Sequence, residues 1–397
     1  MSTTIGVVGF VLALLLSVMI HEAGHFATAR AFGMKATEFF CGFGPKVFSF
    51  RRGETEYGLK AIPAGGYVKI VGMTSLEETD PADEDRLFYK QPAWQRAIVL
   101  AAGSVMHFVI GFLLLFAVLV GLGQSVATTT VATIAECVPA TPAADCPAGA
   151  ESPAKAAGLQ PGDRVVSFQG QPVRSWERLV EQIRAMPAGP VELVVERDGR
   201  QRTLRPEIVL AERPSLDDPG RTERVGQLGV SPELGRERDG VVEGLGNAAD
   251  GFGTMISATF KGLAQIPEKM LEVFSPDRGI DSPTSVVGIG RISGDVASAE
   301  TDWQSKLSVF LLIMASLNVF VGIFNLLPLL PLDGGHLAVL IFEQARFGVY
   351  RLLGRPSPGR VNLMRLMPLA YVVIVLFVGL SLTLVAADIV NPIPTPF

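Results

Sequence analysis

The chain has 397 residues, 48% of them hydrophobic and only 18% charged, with a mean hydropathy of +0.37. That balance is too apolar for an ordinary soluble domain and points to a membrane protein. The formal net charge is −5, and segment 124–305 carries eight more acidic than basic side chains, which argues against a nucleic-acid partner.

The first apolar run, 5–20, holds no charged residue and effectively continues to 29 past the stretch S-V-M-I-H-E-A-G-H-F (17–26). Inside it lies H-E-x-x-H, as His21, Glu22 and His25. On a helix, positions i and i+4 share one face, so two imidazoles there can bind one Zn²⁺. Glu22 is placed to act as general base on a metal-activated water. The plain alternative is a chance match in a soluble helix. A glutamate is expensive in hydrocarbon, however, and intramembrane ionisable groups are functional candidates by default. Residues 1–6 contain no Lys or Arg and no small-residue cleavage site precedes the motif, so this run is expected to be a retained span rather than a secretory signal.

Three more charge-free runs, 97–123, 307–332 and 366–387, can each cover a hydrocarbon core that needs about 20 helical residues. The expectation is four spans. Lys and Arg flank them at 30, 35, 86, 90 and 96, and again at 346, 351, 355, 360 and 365. Loops 30–96 and 341–365 are therefore expected in the cytoplasm, with both termini and segment 124–305 outside.

Between the first two spans, residues 38–72 alternate aromatic or β-branched side chains with polar ones, punctuated by Gly and Pro. This predicts short strands and hairpins lying against the membrane, or else a small soluble hairpin domain. An edge of such a sheet near the candidate metal site could pair with an extended peptide strand. The acidic stretch 74–85 is expected to be a solvated linker.

The order of H-E-A-G-H, G-F-G-P-K (42–46), I-P-A-G-G-Y-V-K (62–69) and Q-P-A-W-Q-R (91–96) resembles the site-2 protease family of intramembrane zinc metalloproteases, in its bacterial RseP-like branch. That family usually has G-P-x-x-N-F in the second span; this chain has G-S-V-M-H-F, 103–108. His107 thus stands in for an Asn, either as a hydrogen-bonding group satisfied by a neighbouring helix or as a ligand.

In the outer segment, S-P-A-K-A-A-G-L-Q-P-G-D (152–163), an amphipathic stretch with Leu179 and Ile183, and alternation around a D-G turn resemble a single PDZ domain, roughly 131–210. Gly158, Pro161, Gly162 and Asp163 match the turn of such domains. PDZ domains can add a peptide strand to a sheet edge, but gating against substrates with bulky outer domains is the favoured role. Cys137 and Cys146 share this outer segment and are disulfide candidates; sequence leaves their pairing open, and Cys41 falls on the reducing side. Residues 212–239 are polar and turn-rich. In 247–274, Phe252, Ile256, Phe260, Leu263 and Ile266 recur at helical steps, predicting an amphipathic helix on the membrane or against the PDZ domain. P-T-S-V-V-G-I-G (283–290) resembles a Gly-rich family segment and is assigned no chemistry.

The third span ends N-L-L-P-L-L-P-L-D-G-G-H, 325–336. With four spans, the first and third run the same way, so Asp333 can meet His21 and His25 in the cytoplasmic half and complete a His₂Asp set with a position left for water. Pro328 and Pro331 break helical pairing and help the chain turn. The family pattern N-x-x-P-x-x-P-x-D-G is intact here. Asn325 is a candidate for binding substrate backbone or the oxyanion, against a role as helix–helix glue. His336 is a candidate to support the ligands from behind.

The expected fold is a polytopic α-helical membrane protein of about four transmembrane helices, with a membrane-associated cytoplasmic β region and one extracytoplasmic PDZ (α+β) domain. Expected boundaries are a first helix at 1–35, the β region at 36–92, a second helix at 93–123, the PDZ domain at 124–212 and a connector at 213–305. A third helix at 306–345, a loop at 346–365, a fourth helix at 366–388 and a tail at 389–397 follow. The resemblance implies an endopeptidase with one Zn²⁺ per chain, cutting the transmembrane segment of a single-span regulatory protein, such as an anti-sigma factor, after a first outer cut. Signal-peptide remnants, a non-proteolytic scaffold and a metal transporter are the alternatives. The expected partners are that substrate and the lipid bilayer, in a bacterial inner membrane.

Overall fold

The computed structural model describes residues 2–73, 80–142, 144–146, 149–216, 221–275, 278–279 and 282–394. Positions 74–79 of the acidic linker and 395–397 of the tail lie outside them. The chain divides into two units, Met1–Leu122 with Asp239–Phe397, and Gly123–Arg238.

The first unit opens with α1 (Ser2–Ala31). It ends where Gly33 adopts φ +76, and the amide of Met34 bonds the carbonyl of Ala29 at 2.9 Å, a left-handed cap that needs no Cβ. Then come β1 (Ala36–Arg52) and β2 (Thr55–Ile70). Both bend, so residues 38–41 pair on one side with 66–69 and on the other with 56–59, while 46–52 pair with 55–60. Gly42, at φ +84, permits the bend; a Cβ there would lie 2.6 Å from the Ile62 carbonyl oxygen. Phe43, Val47, Phe48 and Ile62 are exposed on this sheet and give it an apolar surface. Helix α2 (Ala93–Phe116) follows and runs on through a π-helical turn to Leu122.

The second unit contains β3 (Gln124–Ile134), α3 (Pro153–Ala156), β4 (Arg164–Phe168), β5 (Gln171–Pro172), α4 (Trp176–Ala185), β6 (Gly189–Pro190), β7 (Leu193–Arg197), β8 (Arg200–Leu204), β9 (Glu207–Pro214), β10 (Thr222–Gln227) and β11 (Val230–Glu237). One sheet has the order β11-β3-β4-β7-β8 with β5 beside β4; the other is β10-β9-β6. Residues 222–237 therefore belong to this unit, through β10 on β9 and β11 on β3. Helix α4 buries Trp176, Leu179 and Ile183, one face of a helix, against Val165, Phe168 and Val195. The β7–β8 turn has Asp198 at φ 53 and Gly199 at φ 71, the geometry of a type I′ hairpin. Arg197 donates to both carboxylate oxygens of the fully buried Asp163, at 2.6 and 2.7 Å. Cys137 and Cys146 are joined by a disulfide, with Cα atoms 6.0 Å apart.

The chain returns to the first unit with α5 (Val241–Lys269), α6 (Val286–Ser298), α7 (Trp303–Asn325), α8 (Asp333–Leu352) and α9 (Met367–Val390). The apolar face of α5 packs on α2: Ala248 is buried with Leu115 and Leu119, and Phe252 meets Phe108 and Phe112 edge-on. The Gly-rich stretch becomes α6, buried against α1 so closely that a Cβ on Gly6 would lie 2.4 Å from the Ser293 carbonyl oxygen. The helix start is capped by Ser285. Asp388 near the end of α9 accepts from Ser285 and Arg278 at 2.6 Å each. Among the described residues, four helices are long and apolar enough to cross a membrane: Thr3–Ala31, Ala93–Leu122, Trp303–Asn325 and Leu363–Val390. The third is shorter than its charge-free run. Pro328 and Pro331 offer no amide to an α-helical ladder, so α7 stops at Asn325 and a new helix starts at Asp333.

Candidate active site

His21 and His25 lie one turn apart on α1, and Asp333 is the first residue of α8. Their contact-making atoms converge. The two Nε2 atoms are 3.2 Å apart, and each is 3.3 Å from Asp333 Oδ2. His25 donates its Nδ1 proton to the Val99 carbonyl at 2.6 Å, which leaves a lone pair on Nε2 facing the other donors. Asp333 Oδ2 is buried without a hydrogen-bond partner among the described residues. Electron-rich atoms crowded this way repel unless a cation lies among them. A tetrahedral zinc bound at roughly 2.0–2.1 Å spaces neighbouring ligand atoms by about 3.3–3.4 Å. The donor set therefore fits zinc in spacing and in chemistry, and three protein ligands leave one position open.

A glycine makes this packing possible. A Cβ on Gly103 would lie 2.4 Å from both His21 Cε1 and His25 Nε2. Helix α2 therefore brings bare backbone against the imidazole pair. Gly24 does the same from the other helix, 2.8 Å from the Ala102 carbonyl oxygen by the same measure. At α8, Gly334 would meet the Leu326 carbonyl at 2.3 Å, so only glycine lets the helix start fold back on the loop that ends α7.

Glu22 sits between the two histidines in sequence and turns toward the sheet. Its Oε2 accepts from the Val68 amide at 3.1 Å. Gly66 on the same strand lets β2 pack closely on α1, a Cβ there falling 2.6 Å from Met19 Sδ. The strand thus holds the carboxylate by backbone alone.

The other candidates fall into different places. His107 is buried, with its ring 5.0 Å from that of His21, and its Nδ1 lies 2.8 Å from Asn318 Oδ1 on α7. Asn318 in turn donates to Ser17 Oγ at 3.1 Å and to the Met314 carbonyl at 2.8 Å. His107 is therefore satisfied by a neighbouring helix and lies outside the three-residue cluster. His336 lines a separate cavity, and its ring makes no hydrogen bond to the ligands among the described residues. Asn325 ends α7 half-buried, and its side chain has no hydrogen-bond partner among the described residues, which leaves it available.

Gly103, Val68, Val99 and Asn318 have roles that the sequence alone does not assign. Asn318, a polar side chain amid an uncharged run, was the signal available. The backbone contributions of Val68 and Val99 carry no residue-type signature at all.

Comparison with known proteins identifies the family. Residues 9–352 match Peptidase family M50. The chain is 38% identical over 405 residues to the zinc metalloprotease Rip1 of Mycobacterium tuberculosis, covering 98% of each chain. It is 36% identical to Rip1 of Mycolicibacterium smegmatis, again over 98% of each. It is 30% identical to the metalloprotease MmpA of Caulobacter vibrioides, over 82% of this chain and 83% of that one. With matches of this extent and a donor set suited to zinc, the chain belongs to Peptidase family M50, the site-2 protease family, and is a zinc metalloprotease.

Proposed function

We propose that the enzyme cleaves a transmembrane segment of a single-span regulatory protein, anti-sigma factors being the model substrate class, after an earlier cut has shortened the substrate outside. The observation that carries this reading is the convergence of His21, His25 and Asp333 beside Glu22 at the ends of apolar helices. Zinc held there supplies Lewis-acid activation of a peptide carbonyl and of the attacking water. Glu22 takes a proton from water and hands it to the leaving amine. The Val68 amide holds its carboxylate in line for that transfer. Asn325 offers its free amide to the unwound substrate backbone or to the developing oxyanion. The substrate helix must open locally, because a helical carbonyl is hydrogen-bonded and shielded.

The unit Gly123–Arg238 is read as a PDZ domain lying outside the cytoplasm, as the Lys and Arg pattern orients it. Its favoured role is to exclude substrates that still carry bulky outer domains. Signal-peptide remnants share the required chemistry and would reach the same site.

The test is co-expression with a tagged single-span substrate whose outer domain has been removed. Cleavage by the wild type and none by Glu22→Gln is expected. Equal processing by both would remove the assignment of Glu22 as the base.

A further inference from the structure

A cavity of about 900 Å³ lies in the membrane unit apart from the three ligands. Its walls come from the start of α2, from α8, from the turn at 88–90 and from segment 360–364. Much of the lining is apolar, including Phe88, Leu100, Leu340 and Leu363. The remainder is dominated by positive charge.

Arg96 lines it and is 8% exposed, with Nε buried and without a hydrogen-bond partner among the described residues. The carboxylate facing it, Glu343, stands off at 3.8 Å and spends its other oxygen on the Val361 amide at 2.7 Å. Arg360 also lines the cavity. It lies over the Tyr89 ring at 5.1 Å and has no carboxylate partner among the described residues. Lys90 at the rim is already paired with Glu84 at 2.6 Å. Two guanidinium groups thus face a space in which a single, partly spent carboxylate opposes them. A buried arginine with an open donor calls for an acceptor.

We propose that this cavity binds the phosphate group of an anionic phospholipid, with Arg96 and Arg360 as its counter-charges and the apolar wall taking the start of an acyl chain. A planar guanidinium suits a phosphate bidentately. The place suits it too: the cavity lies where the spans Ala93–Leu122 and Leu363–Val390 begin, at the basic ends of both. Basic pockets between transmembrane helices bind lipid head groups in this manner. The mixed lining separates a lipid from a free phosphate, which would gain nothing from Phe88 or Leu363.

The experiment is native mass spectrometry of the full-length protein released from bilayers that mix phosphatidylglycerol with phosphatidylcholine. The wild type is expected to retain phosphatidylglycerol preferentially. Arg96→Gln and Arg360→Gln should each weaken retention about fivefold. Glu343→Gln should strengthen it, since one opposing charge is gone. Arg360 is exposed, so its variant is informative even if Arg96→Gln folds poorly. Arg351→Gln, outside the cavity lining, should match the wild type. Equal retention of the two lipids, or wild-type retention by Arg360→Gln, would overturn the proposal. Displacement of the lipid by millimolar inorganic phosphate would assign the site to free phosphate and overturn it as well. Lipid retention is read by mass alone, so its outcome is independent of peptide cleavage.

Discussion

Glu22 and Gly103 serve the site in opposite ways. Glu22 is needed for a proton, so Glu22→Gln should lower peptide hydrolysis by about 10²–10⁴-fold or more while zinc content, measured by elemental analysis, stays at the wild-type level. Gly103 is needed for space. A methyl group there would fall 2.4 Å from both imidazoles, closer than any van der Waals contact. Gly103→Ala should therefore reduce bound zinc and activity together. Full zinc and full activity in that variant would show that α2 yields without moving the histidines. His21, Glu22, His25 and Asp333 were legible in the sequence because charge in an apolar run is conspicuous. Gly103 was visible only as part of a motif, since nothing in a string of residues says which glycine faces a metal. Of the two readings open for His107, hydrogen-bonding group or ligand, the contact with Asn318 favours the first.

Elements were legible in proportion to how local their causes are. The D-G turn named the β7–β8 hairpin because the type I′ geometry depends on two residues only. The folding of β1 and β2 into a sheet in which 38–41 pair on both sides depends on non-local register, and alternation alone does not encode it. The run 307–332 read as one apolar stretch, but two prolines divide it into α7 and the start of α8. In the second unit, the Asp163–Arg197 pair ties the turn at 158–163 to β7. Asp163 is fully buried, so Arg197→Met should strand a buried charge and cost toward the lower end of roughly 3–5 kcal/mol, read as a lower unfolding temperature. Burial pushes the Asp163 carboxyl up, but the bonds from Arg197 and the Gln160 amide outweigh it and hold it below the usual range. A depressed carboxylate contributes stability above its unfolded value, about 3.9, and loses it as pH falls through the lower folded value. Acidification below about pH 4 should therefore narrow the gap between wild type and Arg197→Met. A gap that widens instead would contradict the assignment.

At the scale of the whole molecule, the four apolar helices among the described residues fit a multi-pass membrane enzyme. The placement of Lys and Arg predicts which loops face which side. Single cysteines at positions 52 and 357 should react with an impermeant thiol reagent only after the membrane is opened, and one at position 200 should react in intact spheroplasts. The reverse pattern would invert the topology. His21, His25 and Asp333, from parts of the chain 312 positions apart at their extremes, are expected to close one zinc site. The most direct test is the zinc content of the detergent-purified wild type and of Asp333→Ala, measured in parallel. About one zinc per chain in the wild type, largely lost in the variant, is the predicted result. Zinc retained at full stoichiometry by Asp333→Ala would contradict the account, because a different side chain would then have to complete the site.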